Sequence, residues 1–159
     1  MLICSSISRK ENSSCLRTIL PLPAPELKAA FIYSQRPEDS AWAFAHETGR
    51  KHAETALAGK AKTQACTVPA DGSVSDVIEQ AIGSGAKGIF TTSPVFLKES
   101  MRAAVNHPEI KILNCSLNKP QKAVRTYYAR MYEAKFIIGA MAGSLSESGR
   151  LGYVCDYPI

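Results

Sequence analysis

The chain has 159 residues, of which 45% are hydrophobic, and it carries a formal net charge of +5. This length suits one globular domain of ordinary size. The basic residues recur singly and no basic run is interleaved with aromatic residues, so the charge indicates a solvated surface and not a nucleic-acid groove. The five cysteines form no CxxC pair and no metal-binding spacing with histidine, which favours structural thiols over a disulfide framework: Cys4, Cys15, Cys66, Cys115 and Cys155.

Residues 1–25 differ from the rest of the chain. They mix charged and polar residues and end in Leu20-Pro-Leu-Pro-Ala-Pro25, whose prolines favour an extended linker. They contain no apolar stretch of the kind that a secretory or lipoprotein signal requires, so the sequence as written predicts no export signal. The longest apolar run, residues 136–142, is far shorter than the ~20 residues that span a bilayer, and it predicts a core helix.

Residues 27–58 predict a strand, a loop and a helix. The apolar run at residues 27–33 is typical of a buried strand, and Asp39 and Ser40 are good helix N-cap residues. Small residues on one face of the helix, which reaches about residue 58, would let it lie close to a sheet. That face carries Trp42, Ala45, Gly49, Ala53 and Ala56.

The following segments alternate in the same way. Residues 62–68 predict a second strand, and Ser73-Val-Ser-Asp76 predicts the capped start of a helix that reaches about Ile82. Residues 87–92 predict a third strand, and a helix to about Asn106 follows it, with Ser93 as N-cap and Pro94 as its first residue. The remaining predictions are a strand at 110–115, a short strand at 124–128, a long helix at 130–145 and a last strand at 150–155.

Near-continuous apolar strands separated by helices predict an α/β fold, with a doubly wound, mostly parallel sheet and helices on both faces. Right-handed crossovers bring the carboxyl ends of the strands to one edge, where open α/β sheets bind ligands. We therefore expect a ligand site formed by the loops at residues 34–41, 92–96, 114–120 and 155–158. Its candidate residues are Asp39, Ser40, Trp42, Thr92, Ser93, Phe96 and Asn114.

Each candidate also has a simpler interpretation. Trp42 is the only tryptophan, and a flat indole beside polar caps suits a small ring with polar edges, such as a base. Packing on a neighbouring loop explains Trp42 equally well. For Thr92 and Ser93 the alternative is helix capping alone, and for Phe96 it is packing in the core.

The motifs of several catalytic and cofactor sites are absent from the sequence. No GxGxxG or GxxxxGK[ST] segment offers a phosphate cradle, and no GxSxG segment offers a nucleophile. His46, His52 and His107 have positions that favour surface or hydrogen-bonded histidines over a base or a metal ligand. Asp39 and Asp156 follow strands without a partner motif, which indicates hydrogen bonding to a ligand rather than acid/base work. We therefore predict a protein that is not an enzyme and that has no catalytic residue, metal or cofactor.

Ordered blocks of the sequence carry a resemblance to a known family. The blocks lie within residues 27–159 and comprise residues 30–33, 39–51, 89–93, 127–143 and 149–154. They resemble the basic membrane protein family, whose members are substrate-binding proteins of ABC importers similar to the purine-nucleoside receptor lipoproteins.

The resemblance implies a type I periplasmic-binding fold, in which two α/β lobes close on a purine nucleoside, a nucleobase or a similar small molecule. It implies that residues 26–159 form the N-terminal lobe, which ends at the crossover to the second lobe, after a disordered or extended segment at 1–25. It also implies that the base stacks on Trp42, with polar contacts from Asp39, Thr92 and Ser93. The loop Gln35-Arg-Pro-Glu38 is more charged than the glycine-rich loop expected of the family.

The same resemblance implies an ABC permease as the partner, no nucleic acid, and a location at the plasma membrane or in the cell envelope. The missing export signal favours an alternative, a cytoplasmic sensor or regulator that uses the same lobe. A small α/β enzyme such as a nucleoside-processing hydrolase is a third class, and it requires a nucleophile or metal cluster that the sequence lacks. Because a single lobe leaves one side of the ligand in water, we expect weak or undetectable ligand binding by this chain.

Overall fold

The structure is a computed structural model that describes residues 25–116 and 122–154. Within these residues five parallel strands form one sheet in the spatial order β2-β1-β3-β4-β5. They are β1 (Leu27–Tyr33), β2 (Ala61–Thr67), β3 (Gly88–Thr91), β4 (Lys111–Cys115) and β5 (Arg125–Tyr127). The predicted segment at 1–25, apart from Pro25, and the predicted loop at 155–158 lie outside the described residues, as does most of the loop at 114–120.

Helices connect the strands in the predicted order. They are α1 (Ala41–Ala56), α2 (Val74–Gly83), a 3-10 turn (Pro94–Phe96) that leads into α3 (Leu97–Asn106), and α4 (Met131–Leu145). Their ends differ from the predicted ends by about one or two residues, as helix ends commonly do. The predicted capping box of α2 is wrong, because the Ser73 side chain makes no capping hydrogen bond.

The α/β fold with helices on both faces is confirmed. The chain moves from β1 to β2 at one edge and then returns past β1 to β3, so right-handed crossovers place α1 on one face and α2 and α3 on the other. The layer between the sheet and α2 and α3 is apolar. Its buried residues include Ile32, Ile78, Ile89, Phe96 and Ile112.

The face of α1 that meets the sheet is not the predicted one. Ala45, Gly49 and Ala56 are exposed, whereas Ala43 is buried and Arg50 is half-buried. Arg50 donates hydrogen bonds through Nε and Nη2 to the two carboxylate oxygens of Glu47, at 2.7 and 2.6 Å, and through Nη1 to Thr63 Oγ1 of β2, at 2.6 Å. Polar side chains can be partly buried in this way when they are paired and hydrogen-bonded. Directional polar contacts, and not close packing of small residues, therefore hold α1 against β2.

The last part of the described chain departs from two predictions. α4 forms where expected, but it is not a core helix, since Phe136 is 77% exposed and Ile138 is 63% exposed. The helix α4 carries apolar residues around its whole circumference, and none of the described strands or helices packs along its length to cover them. Residues 151–154 form no strand, because an extended segment becomes a strand only where a neighbour takes up its hydrogen bonds. Among the described residues, no helix has both the length and the apolar character needed to cross a membrane.

Candidate functional site

The carboxyl ends of β1 and β3 meet where the strand order reverses. β1 leads into residues 34–40 and the N-terminus of α1, and β3 leads into Thr92 and Ser93. Ser40 is the N-cap of α1, and its Oγ accepts a hydrogen bond of 3.3 Å from the Ala43 N–H, which fixes where the helix begins. Ligands of open α/β sheets bind in the crevice at such a reversal point. The candidate site is therefore this crevice.

Trp42 joins the two sides of the crevice. Its indole Nε1–H donates a hydrogen bond of 2.7 Å to the carbonyl oxygen of Thr92, fifty positions along the chain. The ring is half-buried. Trp42 lies in the first turn of α1, which places its indole toward β3. The hydrogen bond then fixes the orientation of the ring.

Other aromatic rings lie around the indole. The His46 ring is 4.9 Å from the Trp42 ring and the Tyr128 ring is 6.4 Å from it, measured between centroids. His46 also lies 6.4 Å from Tyr127. The Nδ1 atom of His46 is 2.9 Å from the carbonyl oxygen of Trp42, which assigns a proton to this nitrogen because a carbonyl only accepts. The indole is therefore part of a cluster of aromatic rings: Trp42, His46, Tyr127 and Tyr128.

Thr92 and Ser93 are buried beside Trp42, with 1% and 6% exposure. The Thr92 hydroxyl donates to the carbonyl oxygen of Ile32 at 2.9 Å, and its backbone N–H donates to the same oxygen at 3.1 Å. The Ser93 side chain makes no capping hydrogen bond to the turn that follows. Thr92 thus ties the β3 loop to β1, and both residues shape the crevice through their backbone as much as through their hydroxyls.

Asn114, near the end of β4, holds the same loop in place through two hydrogen bonds. Its Nδ2 donates to Thr91 Oγ1 at 2.8 Å and to the Ser93 carbonyl oxygen at 2.9 Å. Its Oδ1 is buried and has no hydrogen-bond partner. Most buried polar atoms are paired, so an unpaired acceptor at this edge indicates a place for a donor from a ligand or a water molecule.

Two residues that the sequence analysis did not select share this property. Ser116 Oγ and the Tyr127 hydroxyl are the other buried side-chain atoms without a hydrogen-bond partner in the described part of the chain. They lie at the carboxyl ends of β4 and β5. That position was the only signal for them in the sequence, because pairing and burial cannot be inferred from spacing.

The structure does not bring every predicted residue to the crevice. Asp39 is exposed, and it is bound by Arg36, whose Nε lies 2.7 Å from its Oδ2. It lines an open groove outside the N-terminus of α1, together with Phe44 and Lys51. Phe96 is buried in the apolar core under α3. The residues that the structure brings together are Trp42, Thr92, Ser93 and Asn114.

Hydrogen bonds and burial shift the pKa values of four ionisable groups near the crevice. The hydrogen bonds from Arg50 lower the pKa of Glu47 to about 2. Burial raises the pKa of the Tyr33 phenol, which also donates to Glu47 Oε2 at 3.0 Å. Burial likewise raises the pKa of Tyr127, and it raises that of Cys115 to about 11. None of these four groups is tuned to act as a general base or thiolate near pH 7.

The described residues contain no group of three or more His, Cys, Asp or Glu side chains that could hold a metal ion. Cys66 and Cys115 are free thiols in β2 and β4, as the sequence predicts, and the other three cysteines lie outside the described residues. The oriented indole of Trp42 and the unpaired polar atoms at the ends of β4 and β5 are suited to holding a flat molecule with polar edges by stacking and hydrogen bonds.

No protein-family model matches the chain. The chain is 30% identical over 135 residues to a purine-binding protein of Brucella abortus (strain 2308), in an alignment that spans 84% of this chain and 39% of the relative. It is 22% identical over 139 residues to a Haloferax volcanii protein described as an ABC transporter glucose-binding protein, spanning 87% of this chain and 35% of the relative. A solved structure from Peptoclostridium difficile 630, described as a lipoprotein fragment, superposes with a TM-score of 0.55 at 12% identity and covers 76% of this chain and 99% of that one.

The two curated relatives bear out the resemblance to substrate-binding proteins of the basic membrane protein family. The P. difficile structure supports the fold alone, since its sequence identity is low. The chain spans about two fifths of the length of the curated relatives it matches, 39% and 35%. Its length therefore corresponds to part of each of these relatives.

Proposed function

We propose that this chain is the ligand-binding lobe of the receptor component of an ABC importer, and that it binds a purine nucleoside or nucleobase against Trp42. The observation that carries the proposal is the hydrogen bond from Trp42 Nε1 to the Thr92 carbonyl oxygen, because it orients the indole at the ends of β1 and β3. A ring that is already oriented loses little freedom when the ligand binds. Stacking of a base on such a ring contributes roughly 1–3 kcal/mol.

Hydrogen bonds to the ligand edge come from the ends of β4 and β5 in this proposal. The unpaired Asn114 Oδ1 suits an N–H donor, and the unpaired hydroxyls of Ser116 and Tyr127 can each donate or accept. A purine presents both N–H donors and ring-nitrogen acceptors along its edges. The Brucella relative is named for purine binding, which supports this ligand class over a sugar.

The proposal assigns residues 26–159 to the N-terminal lobe of a two-lobe receptor, which delivers its ligand to a permease at the cell envelope. The length of the relatives supports this assignment. In such a receptor the ligand lies between two lobes and loses most of its contact with water. One lobe supplies about half of that enclosure, so we expect this chain to bind purines with a Kd of about 1 mM or weaker.

The fluorescence of Trp42 tests the proposal directly, because the chain has no other tryptophan. Adenine, adenosine and glucose are titrated into the 159-residue chain while the emission is recorded. We expect the two purines to quench the emission in a saturable way, and glucose to leave it unchanged. Saturable quenching by glucose but not by purines would assign the crevice to sugars.

A pair of variants sharpens the test. Asn114→Leu keeps a side chain of similar size but removes the amide, so purine affinity is expected to fall about tenfold. Ser84→Ala removes a hydroxyl at the opposite edge of the sheet, where it bonds to Gln64, and it is expected to leave the affinity unchanged. If purines do not quench up to tens of millimolar, or if the two variants behave alike, the crevice is not a purine site.

A further inference from the structure

A row of lysines lies at the edge of the sheet opposite the crevice, where the strands begin. Lys28 and Lys62 occupy matching positions on the neighbouring strands β1 and β2. The Lys87 N–H donates to the Lys28 carbonyl oxygen at 2.8 Å, and the Lys111 N–H donates to the Lys87 carbonyl oxygen at 3.0 Å. Lys60 directly precedes β2. All five residues are exposed, and they are termed the lysine edge: Lys28, Lys60, Lys62, Lys87 and Lys111.

The ammonium groups of the lysine edge are not neutralised by ion pairs. None of them lies within 4.0 Å of a carboxylate in residues 25–116 or 122–154. Glu26 and Glu109 belong to the segments that form this edge, and Glu109 Oε1 lies 3.8 Å from His107 Nδ1. Glu79 of α2 reaches the same histidine, with its Oε2 2.9 Å from Nε2. The loops at the opposite edge carry both signs of charge: Glu38, Asp39 and Asp71, with Arg36 bound to Asp39. In the described part of the chain, the lysine edge is therefore a cluster of cations without carboxylate partners.

Helix ends account for only part of this charge. The helices α1, α2 and α3 all end at the lysine edge. The Lys28 side chain lies close to the end of α2, because its Nζ is 3.7 Å from the position that a Cβ atom on Gly85 would occupy. A lysine at a helix C-terminus offsets about half a negative charge. Three helix ends and three carboxylates together offset slightly less charge than the five lysines supply, so the edge keeps a small positive charge.

Exposed aliphatic side chains lie among these lysines. Leu27 is 50% exposed and Leu57 is 46% exposed, and they belong to adjacent segments because the Leu27 N–H donates to the Lys60 carbonyl oxygen at 2.8 Å. Val105, near the end of α3, is 72% exposed. The segments that form this edge, residues 26–28, 57–62, 83–88 and 105–111, contain no Phe, Trp or Tyr. Cations with aliphatic neighbours suit a lipid headgroup layer, whereas single-stranded nucleic acid is held by aromatic stacking.

We propose that the lysine edge docks the protein on an anionic lipid surface. The ammonium groups contact the lipid phosphates, and Leu27 and Leu57 enter the layer between the headgroups. The described chain also enters β1 at this edge, since Leu27 is the first residue of that strand. Docked in this way, the crevice at Trp42 faces away from the lipid.

Vesicle sedimentation with the 159-residue chain tests the docking. We expect binding to vesicles that contain phosphatidylglycerol, weak binding to pure phosphatidylcholine, and a loss of binding as salt is raised. Each lysine near an anionic surface contributes about fivefold in affinity. The triple variant Lys28→Gln, Lys62→Gln, Lys87→Gln is therefore expected to bind about 100-fold more weakly.

A matched variant controls for net charge. Lys51→Gln, Lys98→Gln, Arg102→Gln removes the same three charges from exposed positions on α1 and α3, and it is expected to keep the affinity within about threefold. Both triple variants change exposed side chains only, and their thermal unfolding confirms that they are folded. The pair Leu27→Ser, Leu57→Ser is expected to weaken binding about tenfold without changing its salt dependence.

Three results would overturn the docking proposal. They are an absence of binding to anionic vesicles, equal binding to neutral vesicles, and equal losses from the two triple variants. Equal binding to neutral vesicles would assign adsorption to the apolar surface of α4. None of these results bears on the purine titration, which reports on the other edge of the sheet.

Discussion

The two faces of the sheet use different chemistry on the same strands. On one face Ile32 and Ile89 are fully buried against the apolar side of α2 and α3. On the other face Tyr33 is also fully buried, but its hydroxyl donates to Glu47 of α1. Successive residues of a strand point to opposite faces, so one step along β1 separates an apolar environment from a polar one.

The difference shows how the fold separates stability from positioning. Apolar contacts are non-directional, so the α2 and α3 face can tolerate small shifts of its helices. Hydrogen bonds depend on angle and distance, so the pair Arg50 and Glu47 fixes where α1 lies along β2. The position of α1 in turn decides whether Trp42 reaches Thr92. The polar face is thus the one that sets the geometry of the crevice.

The largest effect is expected from the apolar face. Ile89→Ala removes a fully buried side chain from the central strand β3 and should lower the free energy of unfolding by about 3 kcal/mol. Leu113→Ala, on the half-buried α1 face of β4, should cost less than half as much. Urea unfolding followed by circular dichroism measures both. Equal losses would show that the two faces contribute equally to stability.

The next effect concerns the polar face. Arg50→Met removes the guanidinium from a pair whose side chains are 11% and 13% exposed, and it leaves the Glu47 carboxylate in a site with little water. We expect a loss of about 2 kcal/mol in the free energy of unfolding at pH 7. Arg36→Met removes an arginine from an exposed pair with Asp39, with side chains 69% and 52% exposed, and should cost less than about 0.5 kcal/mol. A loss for Arg50→Met as small as that for Arg36→Met would mean that α1 does not depend on this contact.

The pH dependence of stability sharpens the same point. Because Arg50 lowers the pKa of Glu47 from an ordinary 4.5 to about 2, the folded state holds this carboxylate ionised where the unfolded state protonates it. Its contribution is fully present above about pH 4.5 and is lost as the pH falls toward 2, by on the order of 2 kcal/mol. Glu47→Gln should therefore lose stability at pH 7 but approach the parent protein near pH 2. The exposed Glu133→Gln serves as the control, and a constant gap between the parent and Glu47→Gln across this range would contradict the assignment.

The order of the elements could be predicted from the sequence because it depends on local patterns. Apolar runs mark the strands, and Ser40 marks the start of α1 through a contact only three residues away. The side of α1 that faces the sheet could not be predicted in this way. Glu47 and Arg50 are spaced as an ordinary surface pair, and their partners Tyr33 and Thr63 come from two different strands. The exposure of α4 also depends on what surrounds it, which a local pattern does not contain.

The candidate site, like the fold, could be predicted from the sequence only in part. Parallel topology alone brings Trp42 and Thr92 to one edge, so their proximity follows from the predicted fold. The pairing of Asp39 with Arg36 and the unpaired oxygen of Asn114 depend on side-chain orientation. Spacing along the chain carries no information about such orientation. The edge that holds the site was therefore predictable, and the assignment of its contacts was not.

The smallest effect links α1 to the crevice. Trp42→Phe keeps an aromatic ring but removes the Nε1–H that bonds to the Thr92 carbonyl oxygen, so we expect a loss of about 1 kcal/mol in the free energy of unfolding. Phe44→Leu changes an exposed ring in the same turn, and it should cost less than about 0.5 kcal/mol. Circular dichroism measures both, since the first variant has no tryptophan. If Trp42→Phe were as stable as the parent protein, the hydrogen bond would be incidental, and the directional contacts of α1 would end at Arg50 without reaching the crevice.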